Sequence, residues 1–222
     1  MERVNHQQYL DGVQFVRWVR RDQVGDRIEA DSNSELSLTE STLFKIATEV
    51  ENCRACSLYR TRQNTVFGAG SVSAECLFVG EAPGAEEDRR GLPFVGRAGQ
   101  LLNGMIAALG LERDQTYIAN VLKCRPPDNR DPLGEEVGKC ETYLHRQIAL
   151  LEPTIIIALG RFAAQSLLKS SLPIGKLRGL QHSYEPFGIP LVATYHPAYL
   201  LRSPLEKRKV WSDLRLAKTA LS

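Results

Sequence analysis

Nowhere in the chain does an apolar run approach the ~20 residues that a membrane span requires. The opening stretch, MERVNHQQYLDG, lacks the apolar core of a secretory signal. Cysteine is scarce, at five residues in 222. These absences lead to the expectation of an intracellular, cytoplasmic protein in a reducing setting, where disulfides are rare. Internal repeats and low-complexity tracts are absent too, which sets aside repeat architectures. What remains is ordinary for a globular chain: 43% hydrophobic and 24% charged residues. The length suits one large α/β domain, or one domain with an appendage.

Net charge is small, at +2, but unevenly spread. Residues 1–52 carry 6 basic and 10 acidic side chains, a net of −4. Residues 53–160 carry 12 and 13, a net of −1, and residues 161–222 carry 10 and 3, a net of +7. The basic third could face a polyanion, or could simply be a solvated helix.

Residues 1–40 are polar and patchy and read as an N-terminal extension and linker, with 41–222 as the main domain. Within the extension, VQFVRWVR carries a short apolar stripe, and RIEADSNSELSLTE reads as a linker. Ser41 followed by Leu43, Phe44, Ile46, Ala47 and Val50 predicts a helix running up to Cys53. Four apolar runs then read as buried strands: ECLFVG (75–80), TYIANVL (116–122), TIIIALG (154–160) and PLVATYH (190–196). Helical patterns lie near 97–110, 134–151, 161–169 and 204–220. The alternation predicts a three-layer α/β/α fold with a central four-stranded parallel sheet.

In open α/β sheets, ligands bind at the carboxyl ends of the strands. Here those ends carry GEAPG, Asn120 followed by KCRPPDNRD, GR, and YHPAYLLR. Glu81, Asn120 and His196 should therefore converge. The stretch GEAPGAEEDRRGLPFVGRAG holds five glycines and Phe94, which looks exposed. Its glycines let backbone approach a ligand. It is not a phosphate loop of the lysine-bearing type. A helix opening at Arg97 could receive an anion at its N-terminus.

Cys53 and Cys56 form a Cys-x-x-Cys pair, and Cys124 and Cys140 follow at spacings of 67 and 15 residues. From spacing alone, a redox dithiol, a zinc site and an iron–sulfur site all stand. Cys76 falls inside the first strand and reads as a small buried apolar residue.

The motifs GEAPGAEEDRRGLPFVGRAGQLL, NVLKCRPPDNRDP, LGRFAAQSLL and YHPAYLLR resemble those of family 4 uracil-DNA glycosylases, the iron–sulfur branch of that superfamily. The similarity runs from about Ala47 to about Leu214. The resemblance implies a [4Fe–4S] cluster on Cys53, Cys56, Cys124 and Cys140, stapling surface loops against the body. It implies hydrolysis of the N-glycosidic bond of a uracil flipped out of single- or double-stranded DNA, by a monomer without membrane attachment.

By the same resemblance Asn120 reads the base, Phe94 stacks on it, and Gly80, Ala82 and Gly84 shape its pocket. His196 stabilises the departing uracil anion. Glu81 is the first choice, and Glu87 the second, for placing the water; better-known uracil glycosylases have an Asp where this chain has Ala82. Leu200 or Leu201 is the wedge that fills the gap left in the DNA, with Tyr199 and Arg202 as further DNA contacts. A non-catalytic DNA- or uracil-binding module is the alternative, and an electron carrier a more distant one.

Overall fold

The computed structural model describes residues 29–185 and 187–221, so the VQFVRWVR stripe lies outside the described residues. From Leu36 onward the chain is one compact unit. Its first helix, α1 (Glu29–Glu51), overturns the linker expected before Ser41. The Ser- and Asp-rich run is a weak helix former but contains no Gly or Pro to stop one. The hydroxyls of Thr42 and Thr48 bond the carbonyls of Leu38 and Phe44 four residues back. Leu43, Ile46 and Val50, at helical spacing, are the residues α1 buries.

Among the described residues the sheet has six strands where four were expected: β1 (Ala69–Gly70), β2 (Cys76–Gly80), β3 (Thr116–Asn120), β4 (Ile155–Leu159), β5 (Gln181–Tyr184) and β6 (Ile189–Thr194). Their order is β1-β3-β2-β4-β6-β5. The four expected strands form its parallel centre. The two extra strands are antiparallel edges. Neither edge carries an apolar run: β1 is two small residues, and β5 reads QHSY.

Helices cover both faces: α2 (Ala85–Arg90), α3 (Arg97–Leu109), α4 (Gly134–Leu151), α5 (Arg161–Leu168), α6 (Ile174–Leu177), α7 (Pro197–Arg202) and α8 (Lys207–Lys218). Alternate strand residues point to opposite sides. Leu77, Val79, Ala119, Ile156 and Ala158 join a core with α1, α4 and α5. Cys76, Phe78, Ile118, Ile155 and Ile157 join one with α3 and α8. Cys76 is thus buried within a strand, as its apolar surroundings require. The helix pattern at 204–220 resolves into a 3₁₀ turn, Pro204–Glu206, and α8. Asp213 of α8 is fully buried, and accepts hydrogen bonds from Thr194 at the end of β6 and from Arg178. Among the described residues no helix is long and apolar enough to cross a membrane.

Candidate active site

The parallel register sets Gly80 beside Asn120, where β2 and β3 end together. The chain leaving β6 brings His196 to the same end of the sheet. Asn120 and His196 line a cleft of about 470 Å3 with Glu81, Phe94 and Arg202, a size suited to a small organic group.

Asn120 is 2% exposed, and its Oδ1 has no hydrogen-bond partner. A buried acceptor left unpaired costs about 1–3 kcal/mol. It is a vacancy for a donor in whatever enters the cleft. Gly80 makes the space: a Cβ there would lie 2.3 Å from Asn120 Oδ1 and 2.7 Å from the Phe94 ring.

Phe94 is buried, not exposed as its loop position suggested. Its backbone takes a left-handed φ of 51°. Gly99 in the first turn of α3 lies so close that a Cβ would stand 1.7 Å from the Phe94 carbonyl oxygen. Glu87 holds the same loop from the other side: its Oε1 accepts from the backbone N–H groups of Val95 at 2.9 Å and Gly96 at 3.0 Å. One oxygen of Glu87 is therefore committed to loop architecture, while the residue still lines the cleft. Its other oxygen faces Gly84, where a Cβ would lie 2.8 Å away. Ala82 borders both the cleft and the cysteine cluster described below.

The His196 ring lies 5.6 Å from that of Phe94. Its Nδ1 accepts the backbone N–H of Ala198 at 3.1 Å, so the proton of the neutral ring sits on Nε2. Burial, aided by the charge of Arg202 and opposed by Glu87, pushes its pKa down to about 4. At neutral pH the ring is an uncharged donor. Glu81 moves the other way: burial, reinforced by Asp131 and opposed by Arg161, pushes its carboxyl up to about 7. Asp131 and Arg161 form an ion pair at 3.1 Å. Neither was singled out in the sequence as a site residue, although both lie in the strand-end motifs DNRD and GR.

Of the two wedge candidates, Leu200 is 1% exposed and belongs to the core beneath α7. That corrects its placement at the DNA: leaving the core would forfeit its packing. Leu201 and Tyr199 are partly exposed, at 38% and 36%, and Arg202 is exposed as well.

Cys53, Cys56, Cys124 and Cys140 line one hollow with Arg62 and Tyr143. Arg62 donates to Cys124 Sγ at 3.1 Å, and the Lys123 backbone N–H to Cys140 Sγ at 3.3 Å. Burial pushes the Cys140 thiol up to about 12 and raises that of Cys124. Among the described residues no group of three or more His, Cys, Asp or Glu is arranged to hold a single metal ion.

Residues 67–215 match the uracil DNA glycosylase superfamily. This chain belongs to the uracil-DNA glycosylase superfamily. It is 46% identical over 180 residues to the type-4 uracil-DNA glycosylase of Archaeoglobus fulgidus, covering 78% of this chain and 90% of that one. Identity to the type-4 enzyme of Thermotoga maritima is 41% over 185 residues, 82% of this chain and 96% of the relative. The type-5 uracil-DNA glycosylase of Thermus thermophilus is more distant, at 33% over 152 residues, 59% and 68% of the two chains. All of the glycosylase cleft described above lies within the matched span.

Proposed function

We propose that this chain is a DNA-repair glycosylase that flips uracil out of DNA and hydrolyses its N-glycosidic bond, leaving an abasic site. The observation that carries the reading is the unpartnered Asn120 Oδ1 on the floor of the cleft. Uracil offers N3–H to that oxygen and O4 to the Asn120 amide N–H. Cytosine presents the opposite pattern, and each mismatch strands a polar group at about 1–3 kcal/mol. Phe94 forms the apolar floor on which the base stacks.

Charge then develops on uracil O2 as the bond breaks. His196 Nε2–H is a fixed neutral donor for it, a contribution typically worth about 3–4 kcal/mol. The departing base leaves a cationic sugar, and Glu81 is the carboxylate that faces it and orients the attacking water. With a pKa near 7, Glu81 is available as both proton acceptor and anion at neutral pH. Glu87 supports the loop that carries Phe94.

Leu201, with Tyr199 and Arg202, meets the DNA; Leu201 fills the gap left by the flipped nucleotide. We assign excision to residues 41–222, and read the protein as a monomer acting on DNA inside the cell, on single- or double-stranded substrate. The four cysteines suit a [4Fe–4S] cluster: the donor set is all sulfur, two of the sulfurs accept N–H hydrogen bonds, and bare thiolates are disfavoured in that hollow. When bound, such a cluster supplies a cross-link between the end of α1, the loop after β3 and α4, with no electron step required.

The test is a labelled oligonucleotide with one uracil, treated with protein and then alkali. Strand cleavage at uracil, absent for thymine and cytosine and lost in an Asn120→Ala, His196→Ala double variant, is the expected result. A DNA-binding module would bind that strand and leave it intact.

A further inference from the structure

Burying a lysine ammonium is costly, and it is rarely done without a countercharge. Lys123 is 1% exposed, and its ammonium is held by three neutral oxygens. It donates to the Asn120 carbonyl at 2.9 Å, the Phe67 carbonyl at 3.0 Å and Gln147 Oε1 at 2.5 Å. Gln147, also buried, donates in turn to the Phe67 carbonyl at 3.1 Å and the Tyr117 hydroxyl at 3.3 Å. The backbone of Lys123 is engaged as well: its N–H donates to Cys140 Sγ and its carbonyl accepts from Val66 at 2.8 Å.

The sheet explains why a donor is needed there. Edge strand β1 is two residues long and pairs with β3 only at Tyr117 and Ile118. The Asn120 carbonyl lies past the end of β1, and a buried carbonyl without a partner is destabilising. The lysine ammonium supplies the missing donor. The Asn120 amide cannot supply its own restraint, because its Oδ1 bonds nothing in the protein. Its position is set by its backbone and by the close approach of Gly80 and Phe94.

We infer that Lys123 is a positioning residue for uracil recognition: its ammonium fixes the Asn120 backbone, and its seat beside Cys124 and against Cys140 makes that restraint depend on the cysteine site. The inference rests on the reading of Asn120 as the base-reading residue. It gives the cysteine site a route to the pocket through three residues of chain and one ammonium. A displacement of about 1 Å at a reacting site can cost roughly 100-fold in rate.

The test uses the full chain with its metal site loaded, as Lys123→Met, which keeps length and removes the donors, and Lys123→Gln, whose amide restores two N–H donors without the charge. Measured for each are iron per chain, affinity for uracil-containing DNA, the single-turnover excision rate and a crystal structure. Lys123→Met should keep its iron and bind DNA within about twofold, while excision falls roughly 100-fold and Asn120 is displaced. Lys123→Gln should recover part of the rate. If Lys123→Met does not fold, Lys123→Gln carries the test, with an intermediate rate and a smaller displacement expected. Excision unchanged within twofold with Asn120 in place, or a rate that falls only in proportion to lost iron, overturns the inference. A wild-type protein that excises nothing would sink the uracil reading instead. The displacement of Asn120 in the variant crystals would still decide the positioning role.

Discussion

Two residues in the cleft have their titration moved by burial, in opposite directions. Burial keeps His196 neutral and holds Glu81 partly protonated at pH 7. If Glu81 orients the water as an anion, kcat/KM should rise with pH through about 7 and level off above it. Glu81→Gln should slow excision and erase that limb; an unchanged profile from pH 5 to 9 would assign the water to another group. The same two residues oppose each other in stability. His196, depressed from 6.5 to about 4, contributes stability that is present above about 6.5 and lost as pH falls. Glu81, raised from 4.5 to about 7, contributes stability that is present at low pH and lost as pH rises through 7. Denaturant midpoints of wild type should therefore change little from these groups between pH 5 and 7. His196→Gln should grow more stable toward pH 5, and Glu81→Gln less stable. Gly80→Ala is the sharpest steric probe. Its Cβ has no place between Asn120 and Phe94, so excision should fall at least 100-fold in a protein that still folds.

At the scale of elements, α7 separates two neighbouring leucines by one helical step. Leu200→Ala should cost about 2–5 kcal/mol of stability by opening a cavity in the core. Leu201→Ala should leave stability within about 0.5 kcal/mol and slow excision more from duplex than from single strands. Thermal melts and paired substrates check both. That distinction was not legible in YHPAYLLR, because two adjacent leucines carry no information on which one the helix turns inward. The four parallel strands were legible, since strands buried on both faces are continuously apolar. The edges β1 and β5 were not, because two small residues and a polar QHSY leave no such trace. The start of α1 left no clear mark in the sequence, because Ser and Asp weaken a helix without ending it.

For the whole molecule, topology did most of what the motifs suggested. A parallel sheet delivers every strand's carboxyl end to one edge, so Glu81, Asn120 and His196 could be grouped from strand assignments alone. The jobs of Glu87 and Lys123 were invisible at that level. A carboxylate of the short helix α2 turns out to hold backbone N–H groups, and a lysine beside a cysteine turns its ammonium into the interior. Such directions are set by packing between distant segments. The cluster proposed on the four cysteines would join three of those segments, so removing its iron should loosen the entire cleft. Cys140→Ser should lose iron, melt at lower temperature and excise uracil poorly even where DNA binding persists.

The most direct measurement is the single-turnover excision rate of Asn120→Ala on uracil-containing DNA, read beside its DNA affinity. Removing both hydrogen bonds to the base should lower the rate at least about 30-fold, at about 1–3 kcal/mol per bond, while affinity stays within a few-fold. A variant that excises uracil within twofold of wild type would contradict the assignment of the orphaned Asn120 oxygen as the reader of uracil.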